Sequence, residues 1–258
     1  MAENSGASGG TGLPASIEAA WGLRERPVKG PKPGLSLERI VAAAMAVAAS
    51  DGLAAVSMGR VARDLGASTM SLYRYVSAKN ELYILMREAA LGPPAPLPAL
   101  ESGAGWREAL AQWAWAQREV FRRNLWSLRV PVAGPQTGPN FLAWWEQGLR
   151  ALEGSGLSGE DGIRVVRLVS GFVRNEALLM SDLDAAAAAG GVPLDEVAAR
   201  WERTLGRLAD PVRHPALTRL PAAGAMGGPG SSDREFAFGL DRILDGVEAL
   251  VLRKEPRS

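Results

Sequence analysis

Between Thr69 and Tyr75 the chain crowds hydroxyl, phenol and guanidinium groups from Thr69, Ser71, Tyr73, Arg74 and Tyr75 around Met70, with Lys79 close behind. Donors of this kind bond phosphates and the edges of bases. If the segment is a helix with Leu72 inward, steps of about 100° per residue turn Met70 and Arg74 away from the core. Ser71 and Tyr73 then flank them. Such an exposed, two-turn helix suits a DNA groove, with one alternative: a helix-turn-helix is also a common packing unit, and an Arg/Tyr face is often only a solvated one.

The elements that must hold these groups are legible on either side. Ser57 caps a first helix, with Val56 placed to staple onto Val61, and Met58, Val61, Ala62 and Leu65 recur at helical spacing. Gly66 supplies the positive φ that ends it, Ala67 fills the turn, and Ser68 caps a second helix over Thr69 to Val76 that turns only Leu72 and Val76 inward. An amphipathic helix, Ser36 to Ser50, precedes the pair and stops at Asp51-Gly52. Ser77 is placed to cap a helix running to Leu91. Lys79 in its first turn opposes the helix dipole, unless lysine and backbone N–H groups together hold a phosphate.

The run Gly66-Ala67-Ser68-Thr69-Met70-Ser71-Leu72-Tyr73-Arg74-Tyr75-Val76-Ser77-Ala78-Lys79-Asn80-Glu81-Leu82 resembles the DNA-binding domain of the TetR family of bacterial transcriptional regulators, over Leu35 to Gly92. The resemblance implies that Thr69, Met70, Ser71 and Arg74 approach bases, with guanine O6/N7 the partner expected for Arg74. It implies that Ser57, Arg60, Tyr73, Tyr75 and Lys79 hold phosphates. The partners so implied are double-stranded DNA carrying a palindromic operator, a second copy of the chain, and a small-molecule effector.

Composition bounds the alternatives. The 258 residues suffice for one or two domains with buried cores, and the lack of cysteine removes disulfides and Cys-ligated zinc. No segment approaches the roughly 18 uninterrupted apolar residues of a membrane span, and the Gly/Ser-rich start has no apolar signal core, so a cytoplasmic protein is expected. Net charge is only +1, but Trp21 to Gly92 carries ten Lys/Arg against six acids, a balance of +4. A mildly basic end on a near-neutral body fits a protein that meets DNA with one face.

The chain is expected to be all-α: a partly basic, disordered extension over 1–34, a three-helix DNA-binding domain over 35–92, and a larger helical ligand-binding and dimerisation domain over 93–258. Trp21 to Gly34 is either a linker or a basic arm that follows phosphates. In the last domain, helices are predicted over Gly105 to Arg123, Pro139 to Glu153, Gly159 to Met180, Leu194 to Leu208 and Ser232 to Arg253, with a long Pro/Gly-rich loop from Leu208 to Ser232. Trp106-Arg107, Arg123-Asn124-Leu125-Trp126 and Gly138-Pro139-Asn140 resemble the ligand-binding domain of the tetracycline-repressor branch. Where that branch commonly has His-Pro, this chain has Asn124-Leu125. Its lone histidine, His214, lies in the late loop, so tetracycline with magnesium is unsupported.

Seven of the eight tryptophans follow Gly92, interleaved with amides. Each is core or pocket; Trp113 with Trp115, and Trp144 with Trp145, cannot all face one way. A ligand cavity lined by Trp113, Gln117, Trp144 and Asn175 is expected, suited to a neutral or weakly polar molecule. Val166, Val169 and Val173, and Leu240, Ile243, Val247 and Leu250, repeat at three-and-four spacing on helices with a second apolar face, which marks either an oligomer seam or the closing of the subunit core.

An enzyme is the competing class. No phosphate-cradling loop, nucleophile elbow or metal-ligand spacing occurs, and Asp182 and Asp184 read as a solvated turn or cap, so no catalytic residue, metal or cofactor is expected. The third class is a ligand-binding module without DNA binding, disfavoured by Tyr73, Tyr75 and Lys79.

Overall fold

A computed structural model describes residues 15–23, 35–131, 137–219 and 231–254. Eleven α-helical segments occur among them, with no strand: α1 Ala15–Ala20, α2 Leu37–Asp51, α3 Met58–Asp64, α4 Thr69–Tyr73, α5 Lys79–Leu91, α6 Pro98–Ser102, α7 Trp106–Arg123, α8 Pro139–Ala151, α9 Gly159–Gly190, α10 Leu194–Leu208 and α11 Ser231–Lys254. The basic stretch with Arg24, Arg26, Lys29 and Lys32, the low-complexity start, Gln136 and residues 220–230 of the late Pro/Gly-rich loop lie outside the described residues.

Contacts divide the chain into two compact units. One runs to Pro96 and takes in Arg123–Gly148; the other is Leu97–Arg122 with the chain from Leu149 on. The first of these divisions, at Pro96, lies four residues from the boundary expected at Gly92. Trp126 and Val130 are buried in the same core as α2, α3 and α5, which draws their segment into the first unit.

In the first unit, three helices begin with the same local device. Ser36, Ser57 and Ser68 accept hydrogen bonds from the amides of Arg39, Arg60 and Ser71, each at 3.2 Å. Replacing such a cap by alanine costs about 1 kcal/mol. The fourth start differs from expectation. Ala78, not Ser77, occupies the cap position of α5 and has no side chain to offer. Glu81 instead reaches back past the cap position and accepts from the Ser77 amide at 2.7 Å and from its hydroxyl.

Two further corrections concern this unit. Ala15–Ala20 is helical rather than disordered, and Ile17 is 1% exposed in the core shared by α2 and α5. The second helix of the motif is also shorter than Thr69 to Val76. It ends at Tyr73, with Arg74 as its cap at φ −73°, ψ −21°.

The first half of α8 is bound to the end of α5 by side chains. Glu88 is nine-tenths buried, and its carboxylate accepts from the amides of Asn140 and, at 3.3 Å, Phe141. The Asn140 amide side chain donates back to the Glu88 carbonyl at 3.0 Å. Trp144 Nε1 donates to the Gly92 carbonyl at 3.0 Å, Gln147 Nε2 to that of Ala95 at 2.6 Å, and Asn124 Nδ2 to that of Ala90 at 3.4 Å. The carbonyls a helix leaves unbonded at its C-terminus, and the N–H groups it leaves at its N-terminus, thus satisfy each other's helix through side chains.

The second unit is built on α7, α9 and α11. Leu110, Trp113 and Ala114 of α7, Val166, Val169, Val173 and Ala177 of α9, and Phe236, Leu240, Leu244 and Val247 of α11 are all buried. Gly239 lets α11 approach the Phe172 ring; a Cβ there would lie 2.6 Å from it. The expected interface residues Val166, Val169, Val173, Leu240 and Val247 are therefore core residues of the subunit, with Ile243 and Leu250 half-buried. The exposed apolar side chains are others: Ile163, Leu168 and Leu179 on α9, and Phe238 and Leu252 on α11. α9 also runs ten residues beyond Met180, to Gly190, so Asp182 and Asp184 lie within a helix and not in a turn. The alanine-rich run after Asp184 has the highest helix propensity of any composition, and Gly191 at φ 63° ends it.

Arg118 ties these helices together. Its guanidinium is held by Glu176 at 3.2 Å, Asp233 at 2.6 Å and the Ser232 hydroxyl at 2.6 Å, over the rings of Trp115 and Phe236. Burial works against its charge, and the two carboxylates outweigh burial. Arg118→Ala strands Glu176, which is 12% exposed, and should lower stability by about 3 kcal/mol. Arg118→Lys should recover only part of that, since an ammonium cannot fork between two carboxylates. Urea midpoints of the three proteins check this, and equal midpoints would refute the role.

Candidate nucleic-acid interface

Leu72 and Val76 are fully buried, and they fix which way the short helix α4 faces. Outward stand Met70, 76% exposed, Tyr73, 46% exposed, and Arg74, also exposed. Thr69 and Ser71 are half-buried, and the Ser71 hydroxyl shares a 2.8 Å hydrogen bond with that of Ser68. The four residues expected at bases therefore lie on one short helix and its cap, beside Tyr73.

The expected phosphate residues divide. Lys79 is exposed at the start of α5, its Nζ 5.2 Å from the centre of the Tyr83 ring one turn on. That contact steadies an exposed ammonium by about 0.5–1 kcal/mol without neutralising it. Tyr83 was missed by the sequence reading, although its i+4 spacing from Lys79 is the signal. Ser57 is exposed, and its hydroxyl oxygen caps α3. No side chain caps α5, which leaves its first turn fitted for an anion.

Two of the expected phosphate contacts are engaged elsewhere. The Tyr75 hydroxyl donates to the Leu35 carbonyl at 3.1 Å and is half-buried, so its proton holds the start of α2. Arg60 lies between Asp64, at 2.9 Å, and Asp51, at 2.8 Å. The hydrogen bond to Asp64, then that to Asp51, holds its guanidinium above the usual value. Two carboxylates around one guanidinium leave a net negative site, and a phosphate there must compete with both.

The expected ligand residues are not gathered in one unit. Trp113 and Gln117 stand four residues apart on α7 in the second unit, both buried, and Gln117 Nε2 has no partner among the described residues. Asn175 is exposed on α9. Trp144 belongs to the first unit, where its indole N–H donates to the Gly92 carbonyl. Among the described residues no cluster of three or more His, Asp or Glu could hold a metal, and no helix is long and apolar enough to cross a membrane.

A helix-turn-helix with this outward face, followed by an all-helical unit, has close counterparts. The sequence model for bacterial regulatory proteins of the tetR family matches residues 40–86. That for the tetracyclin repressor-like C-terminal domain matches residues 97–251. The chain belongs to the TetR family. The HTH-type transcriptional repressor DrrR1 of Streptomyces coeruleorubidus is 34% identical over 251 residues, which cover 97% of this chain and 91% of that protein. Among solved structures, apo ActR from Streptomyces coelicolor is 28% identical with a TM-score of 0.67, covering 86% of this chain and 99% of that one. ActR in complex with actinorhodin superposes with a TM-score of 0.70 at the same identity and coverage. This TetR-family protein is thus a transcriptional regulator, with the family's N-terminal helix-turn-helix and C-terminal helical domain.

The pairing of Arg60 makes a prediction for this regulator. Asp64→Asn should free the guanidinium for a phosphate, tightening binding to any duplex and steepening the slope of log K against log salt by about one unit. Fluorescence anisotropy across a salt series measures both. An unchanged slope would show that Arg60 stays off the DNA.

Proposed function

We propose that this regulator is a repressor that binds a palindromic operator as a homodimer and releases it when a small hydrophobic or aromatic effector occupies the second unit. The observation that carries the reading is the outward face of α4, Met70, Tyr73 and Arg74, set by the fully buried Leu72 and Val76. Thr69, Met70, Ser71 and Arg74 approach bases, and Ser57, Tyr73 and Lys79 hold phosphates, with Arg60 and Tyr75 as supports of the fold. Repression is supported by the likeness to DrrR1, and an effector by the likeness to ActR in complex with actinorhodin.

Homodimerisation is supported by large apolar side chains left exposed on the long helices, Leu168 and Leu179 of α9 and Phe238 and Leu252 of α11. Two-fold symmetry matches a palindrome read in successive major grooves. The effector site takes Trp113 and Gln117, whose unpartnered amide suits a ligand with an acceptor oxygen. The protein works in the cytoplasm and catalyses no reaction.

Selection of bound sites from random duplexes should return a palindrome, and sedimentation should give twice the chain mass. On that palindrome Lys79→Ala should weaken binding to all sequences alike and flatten the salt slope by about one unit. Arg74→Ala should instead relax preference at one position per half-site, at about 1–3 kcal/mol. Failure to bind any duplex at low ionic strength would overturn the reading. Actinorhodin is the first effector to try, read as a rise in melting temperature.

A further inference from the structure

We propose that Met70 reads the 5-methyl group of a thymine, so that the operator is selected for thymine where Met70 meets it; this deepens the DNA-binding reading above and rests on it. Of the five methionines among the described residues, Met45, Met58, Met86 and Met180 are buried or half-buried, and Met70 alone is exposed, at 76%. A single exposed apolar side chain on a surface is ordinary. This one stands on the face that the fold turns outward, with Tyr73 and Arg74.

Its direction follows from the core. With Leu72 fully buried, steps of about 100° per residue place Met70 about 200° from it in one sense and Arg74 about 200° in the other. The two therefore lie within about 40° of each other around the axis, one turn apart. Arg74 continues the helical path as the cap of α4, at φ −73°, ψ −21°. A base pair met by Met70 thus neighbours one within reach of Arg74.

The polar residues beside Met70 are partly committed within the helix. Thr69 and Ser71 are half-buried; the Ser71 hydroxyl shares a hydrogen bond with that of Ser68 at 2.8 Å, and Ser68 Oγ also accepts the Ser71 amide at 3.2 Å. The Met70 side chain has no proton to donate, and its thioether accepts only weakly. In the major groove the apolar feature of a base pair is the thymine methyl, which marks A·T without a hydrogen bond. An unbranched thioether with several rotatable bonds adapts to such a methyl anywhere within its reach. Contact between them removes apolar surface of both from water. Arg74 then selects guanine by its acceptors and Met70 selects thymine by its methyl, so two residues one turn apart read opposite classes of base pair.

The test sets the full-length protein against the duplex recovered by selection, with each thymine in turn replaced by deoxyuridine, which removes the methyl and keeps every hydrogen-bonding group. At one thymine or more, wild-type binding measured by fluorescence anisotropy should weaken about fourfold, the effect of one buried carbon. Met70→Ala, and independently Met70→Gln, equal in reach but polar, should bind the thymine and uracil duplexes alike at that position. Both variants should melt with the wild type, because Met70 lies outside the buried core. Low ionic strength keeps the weaker variants bound through phosphate contacts. If the wild type binds its duplex and loses nothing at any uracil, or if either variant retains the wild-type loss, the assignment to Met70 is overturned and the regulator reading stands. If the wild type binds no duplex, both fall.

Discussion

A helix of five residues cannot hold itself in water, so everything the DNA-binding unit presents depends on the burial of Leu72 and Val76. Each contributes about 1.5–3 kcal/mol on removal from water. Those two contacts, with the Ser68 cap at one end and the Leu72 carbonyl bonded by Val76 at the other, fix α4 against α2, α3 and α5. Orientation follows from their position: once Leu72 and Val76 are inside, Met70, Tyr73 and Arg74 have nowhere to go but outward. Reading heads need this rigidity because base-edge hydrogen bonds tolerate little misplacement.

The junction of α5 with α8 obeys a different balance. Burial raises the Glu88 carboxyl above its usual range, and the amides of Asn140 and Phe141 pull it back. A carboxylate this buried is unfavourable alone, but the positive end of α8 and two N–H donors are what its charge requires. The asymmetry of hydrogen-bond energetics makes such a contact sharp. Closed, it is close to neutral in net free energy; open without water, it strands a charge and two donors.

What was legible in the sequence divides along the same line between local and distant causes. The starts of α2, α3 and α4 were readable because each depends on a serine and an amide three residues on. The start of α5 misled because Ser77 has the right type but stands one residue before the cap position, which Ala78 holds without a side-chain oxygen. Periodicity revealed that α9 and α11 are apolar on two faces without telling which is inside, and the more regular valine stripe proved to be the core. Ile17, a lone large aliphatic in a short segment, gave no pattern to read, and no local rule joins Glu88 to residues 52 positions away. Nor could the sequence tell that the Trp144 and Gln147 N–H groups bond the carbonyls of Gly92 and Ala95. A side chain's type announces that it donates a hydrogen bond, but only the fold decides to what.

The engagement of Arg60 and Tyr75 shows how narrow the unit's electrostatic margin is. Its excess of positive charge is small, and one of its arginines is held by two carboxylates. On the function proposed above, few exposed cations on this face, Arg74 and Lys79 among them, are left for phosphates, so weak non-specific attraction follows from the charge pattern. A regulator with little sequence-independent attraction depends on geometry for its affinity, and the geometry α4 offers is the outward face that Leu72 and Val76 fix from within.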